Sequence, residues 1–196
     1  MQNLSLIMAV LMVFFISVVN CSSVFAEARD DLLDAACSGR GRTEKVELWF
    51  ENNADKISEK GSKSLFTAKD KDGWTALMCA VADLNPQIAQ LLIKAGAEIN
   101  VQDNFGWTPL MYAADFEKTA MVSFLLDKEA DPNVRNEDGN TALFFAVLNG
   151  NLPITRLLLA NGADEKARDN NGETAADMAK RKGHDEIVKL LNSNPY

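Results

Sequence analysis

One spacing governs what this chain can fold into. Asp72-Gly73-Trp74-Thr75-Ala76-Leu77 is followed by Phe105-Gly106-Trp107-Thr108-Pro109-Leu110, then by Asp138-Gly139-Asn140-Thr141-Ala142-Leu143 and Asn171-Gly172-Glu173-Thr174-Ala175-Ala176, and the four glycines stand 33 residues apart throughout. An unbroken period of that length marks stacked supersecondary units, none of which buries its own apolar face without a neighbour.

Each unit opens on a turn, where glycine accepts the positive φ that other residues resist. Two residues on, Thr75, Thr108, Thr141 and Thr174 offer hydroxyls to the free N–H groups of a helix start. Pro109 suits the first helical turn. The first helix is predicted to run about two turns, with Leu77 and Ala80, Leu110 and Ala113, and Leu143 and Ala146 on one face. A second helix follows, its stripe formed by Ile88, Leu91 and Leu92, by Met121, Phe124 and Leu125, by Ile154, Leu157 and Leu158, and by Ile187, Leu190 and Leu191. That is the i, i+3, i+4 pattern of one apolar face.

Gly150 and Gly183 end first helices, and Gly96 and Gly162 end second ones, as left-handed caps. Leu84, Glu117 and Glu129 stand where glycine is expected, at a cost on the order of 1 kcal/mol for a left-handed residue with a side chain, which marks the second repeat as locally weaker. Asn100 to Trp107, Asn133 to Asn140 and Lys166 to Glu173 are polar connections that read as projecting turns.

These residues resemble ankyrin repeats. The resemblance rests on the Gly-x-Thr-Ala/Pro-Leu segments, on Ala113-Ala114, on Gly183-His184-Asp185-Glu186-Ile187-Val188-Lys189-Leu190-Leu191 and on Asn161-Gly162-Ala163-Asp164, and it covers about residues 29–192. It implies an all-α solenoid of helix pairs with projecting β-hairpin fingers and a concave face, with about five repeats including degenerate capping units at both ends. The implied domain is 27–196. It divides into a capping repeat over 29–69 with a basic insertion at 56–67, repeats at 70–102, 103–135 and 136–168, and a C-terminal capping repeat at 169–196.

Within the first unit, Leu32-Leu33-Asp34-Ala35-Ala36 reads as a first helix and Val46 to Phe50 as a second. Lys56, Lys60 and Lys63 make the insertion basic, and it reads as a solvated surface loop. In the last unit Ala176 replaces the core leucine, and Asp177, Lys180, Arg181 and Lys182 suit a cap facing water. The family's histidine after the repeated leucine is replaced by Met78, Met111 and Phe144, which preserves packing but leaves open what polar network joins the units.

The first 26 residues contain no Lys, Arg, Asp or Glu, and Leu4 to Val19 is almost wholly apolar. That run is short for a membrane span of about 20 residues and fits the apolar region of a signal peptide. Cleavage after Val24-Phe25-Ala26 makes 1–26 a signal peptide and places the protein in the periplasm or outside the cell. An uncleaved membrane anchor is the alternative, since Met1-Gln2-Asn3 carries no positive side chain, and lipid modification at Cys21 is disfavoured by Asn20. Cys37 and Cys79 then remain. They read as two separate thiols, because they fall at different positions of their repeats, with a single disulfide as the other reading.

A net charge of −8 works against nucleic acid and anionic lipid as partners. No catalytic or metal constellation emerges. His184 is the one histidine and lies in a helix-connecting turn. Gly39-Arg40-Gly41-Arg42 lacks the residues of a phosphate loop and reads as a turn. The acids Asp70, Asp72, Asp103, Glu137 and Asp138 suit turns better than a calcium site.

No cofactor is implied, and the expected partner is another protein, with a membrane involved only through an uncleaved N-terminus. The resemblance places family contacts at the finger tips and exposed first-helix sides. Here those positions hold Trp74, Trp107, Asn140 and Glu173, with Lys71, Asp83, Phe105, Asp115, Phe116, Leu148 and Asn149 nearby. The two tryptophans read equally well as contact residues or as packing. The resulting expectation is a non-enzymatic, exported binding module of bacterial origin that protects, positions or inhibits its partner. A membrane-tethered scaffold is the alternative and an enzyme a remote third.

Overall fold

Threonine and asparagine caps set the helix starts. Thr75, Thr108, Thr141 and Thr174 hold extended backbone and each directly precedes a helix. The N–H groups of Met78, Met111 and Asp177 donate to the hydroxyls of Thr75, Thr108 and Thr174 at 3.4, 3.3 and 3.2 Å, while Thr141 caps without a side-chain bond. Asn85 and Asn151 cap second helices in the same way, accepting from Ile88 and Ile154, with a proline in the first turn that follows.

The computed structural model describes residues 28–37, 42–53, 66–83 and 85–193. Residues 1–26, read above as a signal peptide, most of the insertion 56–67, residues 39–41, read above as part of a turn, and Leu84 lie outside the described residues. In chain order the helices are α1 (28–37), α2 (Arg42–Asn52), α3 (Ala76–Ala82), α4 (Pro86–Lys94), α5 (Pro109–Asp115), α6 (Thr119–Asp127), α7 (Ala142–Leu148), α8 (Leu152–Ala160), α9 (Ala175–Lys182) and α10 (Asp185–Asn192). None of them is long and apolar enough to cross a membrane.

The first helices α3, α5, α7 and α9 pack side by side, and α4, α6, α8 and α10 each lie against the first helix of their own pair. Between these layers sit Leu77, Ile88, Leu92, Leu110, Leu125, Leu143 and Ile154, all fully buried. Each contributes roughly 1.5–3 kcal/mol by leaving water. Met78, Met111 and Phe144, at the positions where the family often has histidine, are buried in the same core.

The polar connections fold by a rule that the period had hidden. The side-chain oxygen of Asp70, Asp103, Asn136 or Asp169 accepts the backbone N–H two and four residues on, at 2.8 to 3.1 Å. The backbone closes the same loop, for example through Asp103 N–H to Trp107 O at 3.0 Å. Hairpin fingers were the expectation. Among the described residues β pairing is confined to an isolated antiparallel bridge between Arg168 and Thr174, because side-chain turns and neighbouring fingers take up the backbone groups that a ladder would use.

Neighbouring fingers are joined one period apart. Lys69 donates to Gln102 O at 2.6 Å, Gln102 to Arg135 O at 3.0 Å, and Arg135 to Arg168 O at 2.6 Å. Gln102, Arg135 and Arg168 also donate to the carbonyl of the glycine in their own finger. This column supplies the inter-repeat polar network that the missing histidines had left open.

Two expectations are corrected. Cys37 and Cys79 form a disulfide, with Cα atoms 5.2 Å apart. Leu32 and Leu77 are equivalent positions 45 residues apart, whereas the disulfide spans 42, a difference of one helical turn along the same stripe. Side-by-side helices meet between such staggered positions, so unequal register did not forbid the bond. In the insertion read as solvated, Phe66 is buried. Its ring lies 6.2 Å from that of Trp49 and 6.1 Å from that of Phe50, because the first helix pair needs an apolar cover before α3 begins.

The helix ends follow the spacing. Glu117 (φ 58°) and Glu129 (φ 64°) are left-handed like the glycines at equivalent positions.

Two measurements check these contacts. Gly106 and Gly172 share φ values of 79° and 81°, but a Cβ on Gly106 would meet Asn136 Cα and Glu137 N at 2.9 Å, whereas one on Gly172 would meet nothing within 4 Å. In denaturant unfolding, Gly172→Ala is expected to cost about 1 kcal/mol and Gly106→Ala about 3 kcal/mol. Equal costs would remove the close approach of fingers as a constraint. Reducing the disulfide is expected to lower stability by about 4 kcal/mol from its loop length, and a Cys79→Ala variant should show no further loss when reductant is added.

Candidate partner-binding face

The finger of one repeat places its variable residue over the first helix of the next. Trp74 lies 4.6 Å from Tyr112 by ring centroids, and Trp107 lies 4.1 Å from Phe145. The step is the same in both cases, so one rule generates both contacts. Trp107 also lies 5.0 Å from Tyr112 in its own repeat. The result is a continuous row, Trp74, Tyr112, Trp107, Phe145, with Phe116 5.8 Å from Tyr112 at its side.

Both tryptophans are half-buried. Each covers a ring of the following repeat without being enclosed, so packing and surface display coexist. Phe105 is 59% exposed at a finger tip, and Phe116 is 38% exposed. Lys71, Asp83 and Asn149 are exposed, while Asp115, Asn140 and Leu148 are half-buried. Asn149 is tied down, because its amide donates to Asp115 O at 2.9 Å.

Tyr112 and Phe145, the centre of the row, were not singled out from the sequence. They stand one period apart, in the same column as Cys79 and Met178. Following that column modulo 33 was the available signal. It was obscured because the column changes from cysteine to tyrosine to phenylalanine to methionine.

Asp103 and Tyr112 form the polar anchor of the row. Asp103 is 6% exposed. One of its carboxylate oxygens accepts the N–H groups of Phe105 and Trp107, and the other accepts the Tyr112 hydroxyl. Burial, reinforced by the hydrogen bond and charge of Asp103, pushes the phenol well above its ordinary range. Tyr112 therefore stays a protonated donor, which fixes its ring between the two indoles.

The acids considered as a calcium or acid/base set are engaged in turn formation at Asp70 and Asp103. Among the described residues no group of three or more His, Cys, Asp or Glu is placed to hold a metal ion. His184 lies 3.3 Å from Leu148 O and its ring fills the space beside Gly150, a contact between successive repeats.

In the next repeat Asn136 and Phe145 replace Asp103 and Tyr112. Asn136 Oδ1 is fixed by the N–H groups of Asp138 and Asn140, and Phe145, in the column of Tyr112, carries no hydroxyl that its amide nitrogen could use. Asn136 Nδ2 is buried without a partner, as is Asn140 Oδ1. Phe145→Tyr is expected to supply an acceptor and raise stability by about 1 kcal/mol in urea unfolding. A loss of stability would mean that the amide does not face the ring.

Residues 32–136 and 128–195 match the family model described as "Ankyrin repeats (3 copies)". No curated protein matches the chain. Ankyrin repeats generally mediate protein–protein interactions and are typically not enzymes. The turn, paired helices and 33-residue register described above are those that the matched model covers over nearly all the described residues, and the chain belongs to the ankyrin-repeat family.

Proposed function

We propose that the protein is a non-enzymatic binding module that holds a partner protein on the face built from its fingers and first helices. The observation that carries this reading is the aromatic row across three repeats, half-buried at Trp74, Tyr112 and Trp107 and seated on buried Phe145. Aromatic side chains dominate interface energetics because they bury large areas while losing little conformational freedom. Exposed Phe105 and Phe116 extend the apolar surface. Lys71, Asp83, Asp115, Asn140 and Asn149 supply a polar rim, and half-buried Leu148 adds apolar surface beside it.

The setting proposed for this activity is outside the cytoplasm, after removal of residues 1–26. The Cys37–Cys79 disulfide supports it, since such bonds persist mainly in oxidising compartments. Binding there would position, protect or inhibit the partner.

The test is capture of the native partner from that compartment by wild-type protein and by a Trp74→Ala/Trp107→Ala variant, with unfolding curves as the control for folding. Capture is expected to weaken at least about tenfold, as loss of two central aromatic anchors implies. Undiminished capture by a folded variant would remove this face from the model.

A further inference from the structure

We propose that the face recognises a cationic segment of its partner, with an arginine guanidinium laid against the Trp74, Tyr112 and Trp107 rings and held by carboxylates around them. This rests on the reading of that face as the partner site and names the chemistry the site selects.

The rings come first. Tyr112 sits between two indoles tilted to it by 55° and 33°, and all three rings are half-buried, so the row presents partly open aromatic surface at several inclinations. A planar cation over tryptophan or tyrosine is attracted by the ring quadrupole, and arginine adds stacking that a lysine ammonium lacks.

Charge then decides the sign of the occupant. Asp70 and Asp72 share a finger with Trp74, and Asp70 N–H donates to Trp74 O at 2.9 Å. The charges of Asp70 and Asp103 are both felt at the Tyr112 hydroxyl. Asp115 lies one helical turn beyond Tyr112 and next to exposed Phe116. Glu137 and Asp138 occupy the finger that stacks on Phe105, with Glu137 N–H donating to Phe105 O at 3.1 Å.

Positive charge on the same fingers is drawn away from the rings. Lys69 and Arg135 donate to backbone carbonyls of the following repeats at 2.6 Å, so among the described residues of the Trp74 finger Lys71 is the exposed cation. A neutral apolar partner would bury the rings but would desolvate these carboxylates without compensation, at a cost in affinity. A basic partner satisfies both, and the chain's net charge of −8 favours its approach.

The experiment titrates wild-type protein with short peptides identical except for arginine, lysine, glutamate or serine at alternate positions, read by tryptophan fluorescence. The arginine peptide should give a saturating change, the lysine peptide a weaker one, and the other two none. Affinity should fall about tenfold as salt rises from about 0.05 to about 0.5 M. An Asp72→Asn/Glu137→Gln/Asp138→Asn variant, with both tryptophans intact and no change in side-chain size, should bind the arginine peptide about fivefold more weakly or worse.

Equal binding of the serine or glutamate peptide, an unaltered triple variant, or no response to any peptide overturns the cationic assignment. If native-partner capture still depends on Trp74 and Trp107 in that event, the face stands and its proposed chemistry alone falls. If capture ignores both tryptophans, the face itself is lost.

Discussion

Successive fingers approach so closely that no Cβ fits between them. At Gly73 an added carbon would lie 2.4 Å from Asn104 N, and at Gly106 it would lie 2.9 Å from Asn136 Cα. That proximity is what allows Asn170 N–H to reach Asp138 O at 2.9 Å and Asn170 Nδ2 to reach Glu137 O at 2.7 Å. The glycine therefore satisfies two demands at once, a left-handed turn and a neighbour at contact distance. Where the stack ends, at Gly172, the second demand disappears although the first remains.

From this spacing the rest follows. Fingers held at a fixed separation carry the Lys69, Gln102, Arg135 column of hydrogen bonds, and they deliver each finger's variable residue to the next first helix. The aromatic row exists because stacking is regular: Trp74 and Trp107 each reach one repeat onward by the same step. In a solenoid of this kind stability is a sum of unit and nearest-neighbour terms. The disulfide between α1 and α3 ties the degenerate first unit to its regular neighbour, where the repeat pattern itself is weakest.

The helix pairs were legible because their signals are local. Thr75 and Thr108 sit two residues after a glycine and cap the helices they were expected to cap, and of the predicted stripes Ile88, Leu92, Leu125, Ile154, Leu158, Ile187, Leu190 and Leu191 are buried, whereas Leu91 and Leu157 are only half-buried. The staggered cysteine pair was misread because equivalence within repeats is a property of the chain, whereas contact is a property of two helices side by side. Phe66 was misread for a related reason: its lysine-rich surroundings in the sequence say nothing of the Trp49 and Phe50 rings it meets. The finger acids were visible as turn formers, but the precise acceptance of two N–H groups by Asp70 or Asp103 was not.

By itself the sequence determined the repeat, its period, its helix starts and ends, and the positions free to vary. Those depend on backbone conformation and on periodic burial, which a chain encodes within a few residues. Tertiary structure alone decided which variable residues meet. Tyr112 lies between tryptophans of two different fingers, Asn136 leaves its amide nitrogen buried without a partner where Asp103 accepts a tyrosine hydroxyl, and Cys37 finds Cys79 one turn out of register. Such meetings depend on the offset between stacked units, and that offset is set by packing between repeats rather than by the composition of any one of them.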